Sequence, residues 1–179
     1  MFKQLGFTFN TDECIGCKSC EIACKNEHQT AVNVQWRRVY KNSGDMYLSI
    51  SCNHCENPEC FRICPESAFT KRKDGIVILD QDLCSSCQLC VNMCPFGGIQ
   101  FDIETLQVSK CDMCYSRQDK GLQPACVEAC PTEALNVVDW NEFHDNEIVP
   151  SLPDFPDIHI TNPSIAFYPP KPRKRYFLK

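Results

Sequence analysis

Sixteen cysteines stand among 179 residues and fall into four groups of four. The first is Cys14, Cys17, Cys20 and Cys24, spaced C-x2-C-x2-C-x3-C. The second is Cys52, Cys55, Cys60 and Cys64, spaced C-x2-C-x4-C-x3-C and followed by Pro65. The third is Cys84, Cys87, Cys90 and Cys94, spaced C-x2-C-x2-C-x3-C and followed by Pro95. The fourth is Cys111, Cys114, Cys126 and Cys130, spaced C-x2-C-x11-C-x3-C and followed by Pro131. None is left over. Cysteine at this density serves disulfides, zinc or iron–sulfur clusters. Disulfide frameworks suit small exported chains. The opening Met1-Phe2-Lys3-Gln4-Leu5-Gly6 carries neither paired arginines nor an apolar stretch, so no export signal of its own is expected. Zinc ribbons place two separated C-x2-C pairs around one tetrahedral ion, and a third cysteine three residues on does not fit that pattern. The third group is instead the C-x2-C-x2-C-x3-C-P run of bacterial cubane ligation.

That run has a physical logic. A tight loop lets three thiolates reach one cube, while the fourth points to the other cluster of a pair. Four ligands per cluster make sixteen thiols into four [4Fe–4S] clusters. Neighbouring groups two and three pair most simply. One cluster then takes Cys52, Cys55, Cys60 and Cys94, and its partner takes Cys84, Cys87, Cys90 and Cys64. The same crossover applied to the remaining groups joins Cys14, Cys17 and Cys20 with Cys130, and Cys111, Cys114 and Cys126 with Cys24. The alternative, each group holding its own cluster, conflicts with the crossover. Cross-ligation would staple the chain, because Cys14 and Cys130 must then share a module.

The elements that position these loops repeat as well. Cys64-Pro-Glu-Ser-Ala-Phe69, Cys94-Pro-Phe-Gly-Gly-Ile99 and Cys130-Pro-Thr-Glu-Ala-Leu135 each place a small residue and then a large apolar one four and five positions after the cysteine. Strands are expected over 76–79, 99–103 and 134–138, with a hairpin across 99–109 turning at Glu104-Thr105. The stretch 65–83 has room for a strand and a turn. Leu5 to Phe9 alternates as an edge strand would, and a short helix is expected over Glu21 to Glu27. The fold class is α+β: two bacterial-ferredoxin-like units with cross-ligated clusters and an extended C-terminal arm. The first unit comprises 1–49 and 100–140, with an insert over 26–48; the second is 50–99; a proline-rich arm follows over 141–179. The insert carries Trp36, Arg37, Arg38 and Tyr40, either a surface excursion or a docking face. In the tail, seven prolines between 150 and 172 exclude a long helix. Lys171, Arg173, Lys174, Arg175 and Lys179, with Phe167, Tyr168, Tyr176 and Phe177 as apolar anchors, suggest an arm laid on a partner.

Little else offers chemistry. His28, His54, His144 and His159 are isolated, and His54, lying between two candidate ligands, is expected to support a cluster rather than bind iron. No Gly-rich phosphate loop or nucleotide fingerprint occurs, and no catalytic residue is assigned. No run of 18 apolar residues provides a membrane span, and a formal charge of −5 argues against nucleic acid. Four fully ligated cubes leave no open iron for a substrate, so the chain reads as a wire needing a donor and an acceptor elsewhere.

The segments Cys14-Ile-Gly-Cys-Lys-Ser-Cys-Glu-Ile-Ala-Cys-Lys25, Tyr47-Leu-Ser-Ile-Ser-Cys-Asn-His-Cys-Glu-Asn-Pro58 and Lys110-Cys-Asp-Met-Cys-Tyr115, with Thr161-Asn-Pro-Ser-Ile165 in the tail, resemble the four-cluster iron–sulfur subunits of molybdopterin oxidoreductases, dimethyl sulfoxide (DMSO) reductase above all. The resemblance implies two partners: a molybdopterin catalytic subunit and a membrane anchor subunit that oxidises menaquinol, with this chain conducting between them. It implies that the Cys14, Cys17, Cys20 and Cys130 cluster faces the catalytic subunit and that the Cys84, Cys87, Cys90 and Cys64 cluster faces the anchor. Nitrate-reducing relatives carry tryptophan at the position of Cys87 and a three-iron cluster there; Cys87 implies a cubane. Membrane association through the anchor follows, on the cytoplasmic face or co-exported with a twin-arginine partner. The same resemblance admits a formate dehydrogenase or hydrogenase subunit carrying current the other way. A zinc-stapled interaction protein is the alternative from another class.

Overall fold

The computed structural model describes residues 3–171. Short elements alternate: β1 (Leu5–Asn10), α1 (Ser19–His28), β2 (Arg38–Lys41), β3 (Tyr47–Ile50), α2 (Glu59–Ile63), β4 (Phe69–Lys71), β5 (Val77–Leu79), α3 (Leu89–Met93), β6 (Ile99–Asp102), β7 (Gln107–Lys110), α4 (Tyr115–Gln118), α5 (Ala125–Glu128), β8 (Leu135–Asp139) and β9 (Ile165–Tyr168). Three two-stranded hairpins, β2–β3, β4–β5 and β6–β7, accompany one three-stranded sheet of order β8-β1-β9. Five cysteines, Cys20, Cys24, Cys60, Cys90 and Cys126, lie in helices, with α1 packed on α5 and α2 on α3.

β1 is central rather than an edge. It runs antiparallel to β8, Phe9 opposite Leu135, and parallel to β9, Phe9 opposite Phe167. Its period-two alternation is real, but Thr8 is buried along with Phe7 and Phe9, because strands more than a hundred residues away cover both sides. The stretch 65–83 holds two strands instead of one: β4 and β5 turn at Asp74-Gly75, where Asp74 Oδ1 accepts the Ile76 N–H at 3.2 Å and Gly75 takes φ 83°. The β6–β7 turn forms where expected, with Asp102 accepting from the Glu104 N–H at 2.9 Å and from the Thr105 hydroxyl at 2.7 Å.

Two apolar clusters form. The larger gathers Phe7, Phe9, Leu48, Ile50, Ile76, Met113, Leu135, Ile165 and Phe167; the smaller gathers Phe69, Val77, Ile99 and Val108. The β6–β7 hairpin, expected with the first unit, therefore packs with residues of the second. The 26–48 insert turns inward: Val34 and Arg37 are buried, and Trp36 Nε1 donates to Ser109 Oγ at 2.9 Å. Of its singled-out residues Tyr40 is the one classed as exposed, so the insert sends Val34, Arg37 and Val39 into the core while much of the rest stays at the surface.

The tail also departs from expectation. Residues 141–164 wrap the sheet without a helix, and β9 returns as its third strand. Phe167 is 0% exposed, edge-on to Phe155 with ring centroids 5.0 Å apart. Tyr168 donates its hydroxyl to Asp145 at 2.7 Å. Neither is a partner anchor, because β9 buries the first in the chain's own core and ties down the second. Lys171 folds back, its backbone N–H on Asp12 at 2.8 Å and its Nζ 3.9 Å from Glu147. Tyr176, Phe177, Arg173, Lys174, Arg175 and Lys179 lie outside the described residues.

Phe167→Ala should therefore cost about 3–5 kcal/mol as a core truncation. The check is a lower thermal midpoint for the loaded protein; a midpoint equal to wild type would return Phe167 to the surface.

Candidate metal centres

The cysteine loops share one backbone device. The residue before the second cysteine of every group is left-handed: Gly16 at φ 70°, His54 at 45°, Ser86 at 55° and Met113 at 57°. This reversal lets two thiols three residues apart face one point. Only Gly16 has the residue type that such a φ favours, and a side chain there would also meet the Tyr47 ring at 2.5 Å.

A second device follows each Cys-Pro. The carbonyls of Cys64, Cys94 and Cys130 accept from the N–H groups of Ser67, Gly97 and Glu133, at 3.4, 3.1 and 3.2 Å, and these three residues are again left-handed. The chain then doubles back over the sulfur: the Ala68 N–H donates to Cys64 Sγ at 3.4 Å and the Gly98 N–H to Cys94 Sγ at 3.3 Å. Hydrogen bonds to sulfur are among the levers on cluster potential. At the middle of these three turns the small residue has a steric reason. At Gly98 a Cβ would lie 2.8 Å from the Cys52 Cα, so the backbones of groups two and three touch there.

The sixteen thiols, all free, sort by their electrostatic neighbours. Burial raises the thiol pKa of Cys14 and Cys20, and nearby thiols add to it: Cys130 and Cys17 for Cys14, Cys126 and Cys130 for Cys20. Burial first, then Cys126 and Cys114, pushes Cys24 up to about 12. Cys111, fully enclosed, is raised by burial and then by Cys24, Cys126 and Cys52. Burial, then Cys52 and Cys94, pushes Cys55 up to about 12, and the same two thiols act on Cys60. Burial, then Cys84, Cys87 and Cys64, pushes Cys90 up to about 11. Cys20 and Cys24, four residues apart on α1, share Cys126 as a neighbour and differ in the next thiol, Cys130 for Cys20 and Cys114 for Cys24. On α2, Cys60 feels Cys52 and Cys94, whereas Cys64 at the C-cap acts on Cys90.

Exposure varies along the series. Cys17 and Cys87 are exposed, whereas Cys20, Cys24, Cys52, Cys90, Cys111, Cys114 and Cys126 are buried. The exposed Cys17 thiol is lowered by its hydrogen bond with Ser19. A recess lined by Cys52, Cys55, Cys60 and Cys94 also receives Asn53 and Thr161, and both amide atoms of buried Asn53 lack a hydrogen-bond partner among the described residues. Converging thiols that resist ionising together in an apolar recess fit a multivalent metal cluster, which neutralises thiolates and releases their protons on loading. The residues present fit four-thiolate iron–sulfur clusters.

The neighbours of the thiols went partly unread. His54 is fully buried, its Nδ1 accepting the Val77 N–H at 3.0 Å and its Nε2 without a protein partner among the described residues. Burial, then Lys110, Arg37 and Lys71, holds its pKa well below the usual value, so it is a neutral imidazole. His28 Nε2 lies 3.2 Å from Cys114 Sγ and 3.5 Å from Asp112; the trio is part of the Cys114 surroundings, not a separate centre. Ser49 Oγ sits 3.3 Å from Cys20 Sγ. Sequence reasoning missed Arg37 and Lys110 as interior charges. The available signal was the serines at 49 and 51, polar at alternate positions where an inward face needs a polar guest.

Comparison with known proteins gives two family matches: a 4Fe-4S dicluster domain over residues 44–140 and a 4Fe-4S binding domain over residues 11–31. The chain is 38% identical to the probable anaerobic dimethyl sulfoxide reductase component YnfG of Escherichia coli K12, covering 94% of this chain and 90% of that protein. It is 36% identical to the B component of the anaerobic dimethyl sulfoxide reductase of Haemophilus influenzae, covering 94% and 91%. It is 37% identical to the B component of the tetrathionate reductase of Salmonella typhimurium, covering 73% of this chain and 56% of that protein.

Gly98→Ala should displace the Cys52 backbone and lower iron content by about a quarter, one cluster of four. Iron per chain in anaerobically purified protein measures this; full occupancy would mean that the contact yields without consequence.

Proposed function

This protein belongs to the family of iron–sulfur subunits typified by the B components of dimethyl sulfoxide reductases, and on that footing we propose that it relays electrons between a quinol-oxidising membrane anchor subunit and a molybdopterin catalytic subunit. It is an electron-transfer subunit carrying [4Fe–4S] clusters. The observation that carries the relay is the exposure pattern: each end set of the series has one exposed cysteine, Cys17 or Cys87, and the two middle sets have none. A carrier with two partners needs two accessible ends and a protected centre.

The ligand sets follow the crossover: Cys14, Cys17, Cys20 and Cys130; Cys24, Cys111, Cys114 and Cys126; Cys52, Cys55, Cys60 and Cys94; and Cys64, Cys84, Cys87 and Cys90. The thiol neighbours described above support this division. So does the packing of α1 on α5 and α2 on α3, which sets the helices of groups one and four, and of groups two and three, side by side. Two ferredoxin-like units result, joined where Cys52 acts on Cys111. When bound, each cluster supplies one-electron chemistry. The chain's own residues hold it, exclude water from the middle of the series and donate N–H bonds to the ligating sulfurs.

The set containing Cys17 faces the catalytic subunit and the set containing Cys87 faces the anchor. Around Cys87, the side chains of Phe61, Leu83, Leu89 and Met93 are all substantially exposed, which supports an apolar contact there. No helix among the described residues is long and apolar enough to cross a membrane, so membrane attachment would come through the anchor. For the basic segment beyond Lys171 we keep the role of an arm steered to an acidic partner surface.

Anaerobic protein should carry about one iron per cysteine; stoichiometric zinc in its place would end the reading. Cys87→Trp should convert only the Cys64, Cys84, Cys87 and Cys90 cluster to a three-iron form of higher potential, because cluster type is a main lever on potential. EPR showing four intact cubes in this variant would overturn the ligand assignment.

A further inference from the structure

Among the described residues two lysine or arginine side chains are buried, Arg37 at 2% exposure and Lys110 at 3%. Neither meets a carboxylate in a salt bridge among the described residues. The Arg37 guanidinium donates Nη1 to the Ser49 carbonyl at 3.2 Å and to Ser49 Oγ at 3.1 Å, and Nη2 to Ser51 Oγ at 2.9 Å. Its plane lies over the Phe7 ring, 4.6 Å from the centroid. Every one of these contacts is neutral, and Nε has no hydrogen-bond partner among the described residues. Lys110 Nζ donates to the carbonyl of Cys111 at 2.7 Å and to that of Val77, again neutral groups.

A buried charge without a counter-ion is strongly disfavoured, so the fold must supply one. The acidic groups acting on Arg37 are the thiols of Cys126, Cys111, Cys20 and Cys24. Cys20 belongs to the first ligand set; Cys24, Cys111 and Cys126 belong to the second. Arg37 thus stands at the junction between them. Lys110 is bonded to the backbone of Cys111, in the second set, and acts on the thiol of Cys60, in the third. It stands at the next junction. The two cations alternate with the first three ligand sets.

We propose that Arg37 and Lys110 are positioning residues for electron transfer, each holding a fixed positive charge at the seam between two successive clusters and thereby stabilising the reduced form of both. This rests on the cluster reading above. Each one-electron reduction adds a negative charge beside the cation, and the electron passes on to the neighbouring cluster beside the same cation. Both sites are therefore raised in potential together, the second set most, since it stands beside both cations. A structural role alone, clamping Ser49 and Ser51, needs hydrogen bonds but no charge.

The test is a redox titration by EPR of the assembled complex carrying Arg37→Gln, Arg37→Lys or Lys110→Gln. Arg37→Gln should lower the potentials of the first two clusters and leave the other two unmoved. Arg37→Lys, which keeps the charge, should stay close to wild type. Lys110→Gln should lower the second and third. If Arg37→Gln sheds iron, retention by Arg37→Lys supports the proposal and equal loss in both overturns it. Unmoved potentials, a uniform shift of all four, or equal shifts in Arg37→Gln and Arg37→Lys also overturn it. Wild-type complex without iron would instead sink the cluster reading itself, so the two failures are distinguishable.

Discussion

The last two cysteines of every group stand four residues apart, and the rest of the structure follows from that spacing. Four residues on a helix bring two side chains onto one face, one turn apart. Cys20 and Cys24 ride on α1 in this way, and Cys90 lies in α3 one turn before its C-cap Cys94. In the proposed ligand sets one short helix serves two centres, and packing two such helices against each other completes both. The strands contribute less directly. β4–β5 and β6–β7 close the loops between cysteine groups, and β8-β1-β9 ties the start of the chain to its tail.

This explains how so thin a core suffices. The strands are three to six residues long, and α2 through α5 have five or fewer. Such elements are marginal alone. Several core positions are themselves cysteines, Cys20 and Cys126 in the larger cluster and Cys90 in the smaller. Burial raises the pKa of Cys20, Cys90 and seven other thiols, so at those positions the protein without iron carries protonated sulfur where the loaded protein carries ligands. Metal binding then supplies folding free energy that apolar area does not.

What was legible in the sequence was local. The cysteine spacing exposed the chemistry. The small-then-large pair after Cys-Pro located β6 and β8, because the turn there is set by residues within five positions; after Cys64 only β5 was expected, and β4, which begins at Phe69 of that same pair, was missed. The hairpin at 102–107 could be read because Asp102 caps its own turn. What escaped depends on distant partners. β1 alternates like an edge strand, yet β8 and β9 cover both its sides. Phe167 and Tyr168 have the composition of a docking anchor, and only the return of the tail to β1 decides that they face inward. Arg37 stands beside Arg38 in a polar stretch, and nothing local shows that its neighbour points to Phe96 while it points to the interior.

The distribution of charge follows from the distribution of water. At the exposed ends, near Cys17 and Cys87, solvent screens the negative charge that an electron adds. In the middle, around Cys111 and Cys52, no such screening exists, and charges interact strongly in a medium of low dielectric constant. A series of negative centres with a dry middle would place its highest barrier there. The two buried cations stand where that barrier would be greatest, and the neutral imidazole of His54 and the unpartnered amide of Asn53 add dipoles in the same region without adding charge. The acidic balance of the whole chain, −5, lies mostly on the surface, where water and salt weaken it. Interior charge and surface charge thus carry opposite signs, and it is the interior one that reaches the buried centres at full strength.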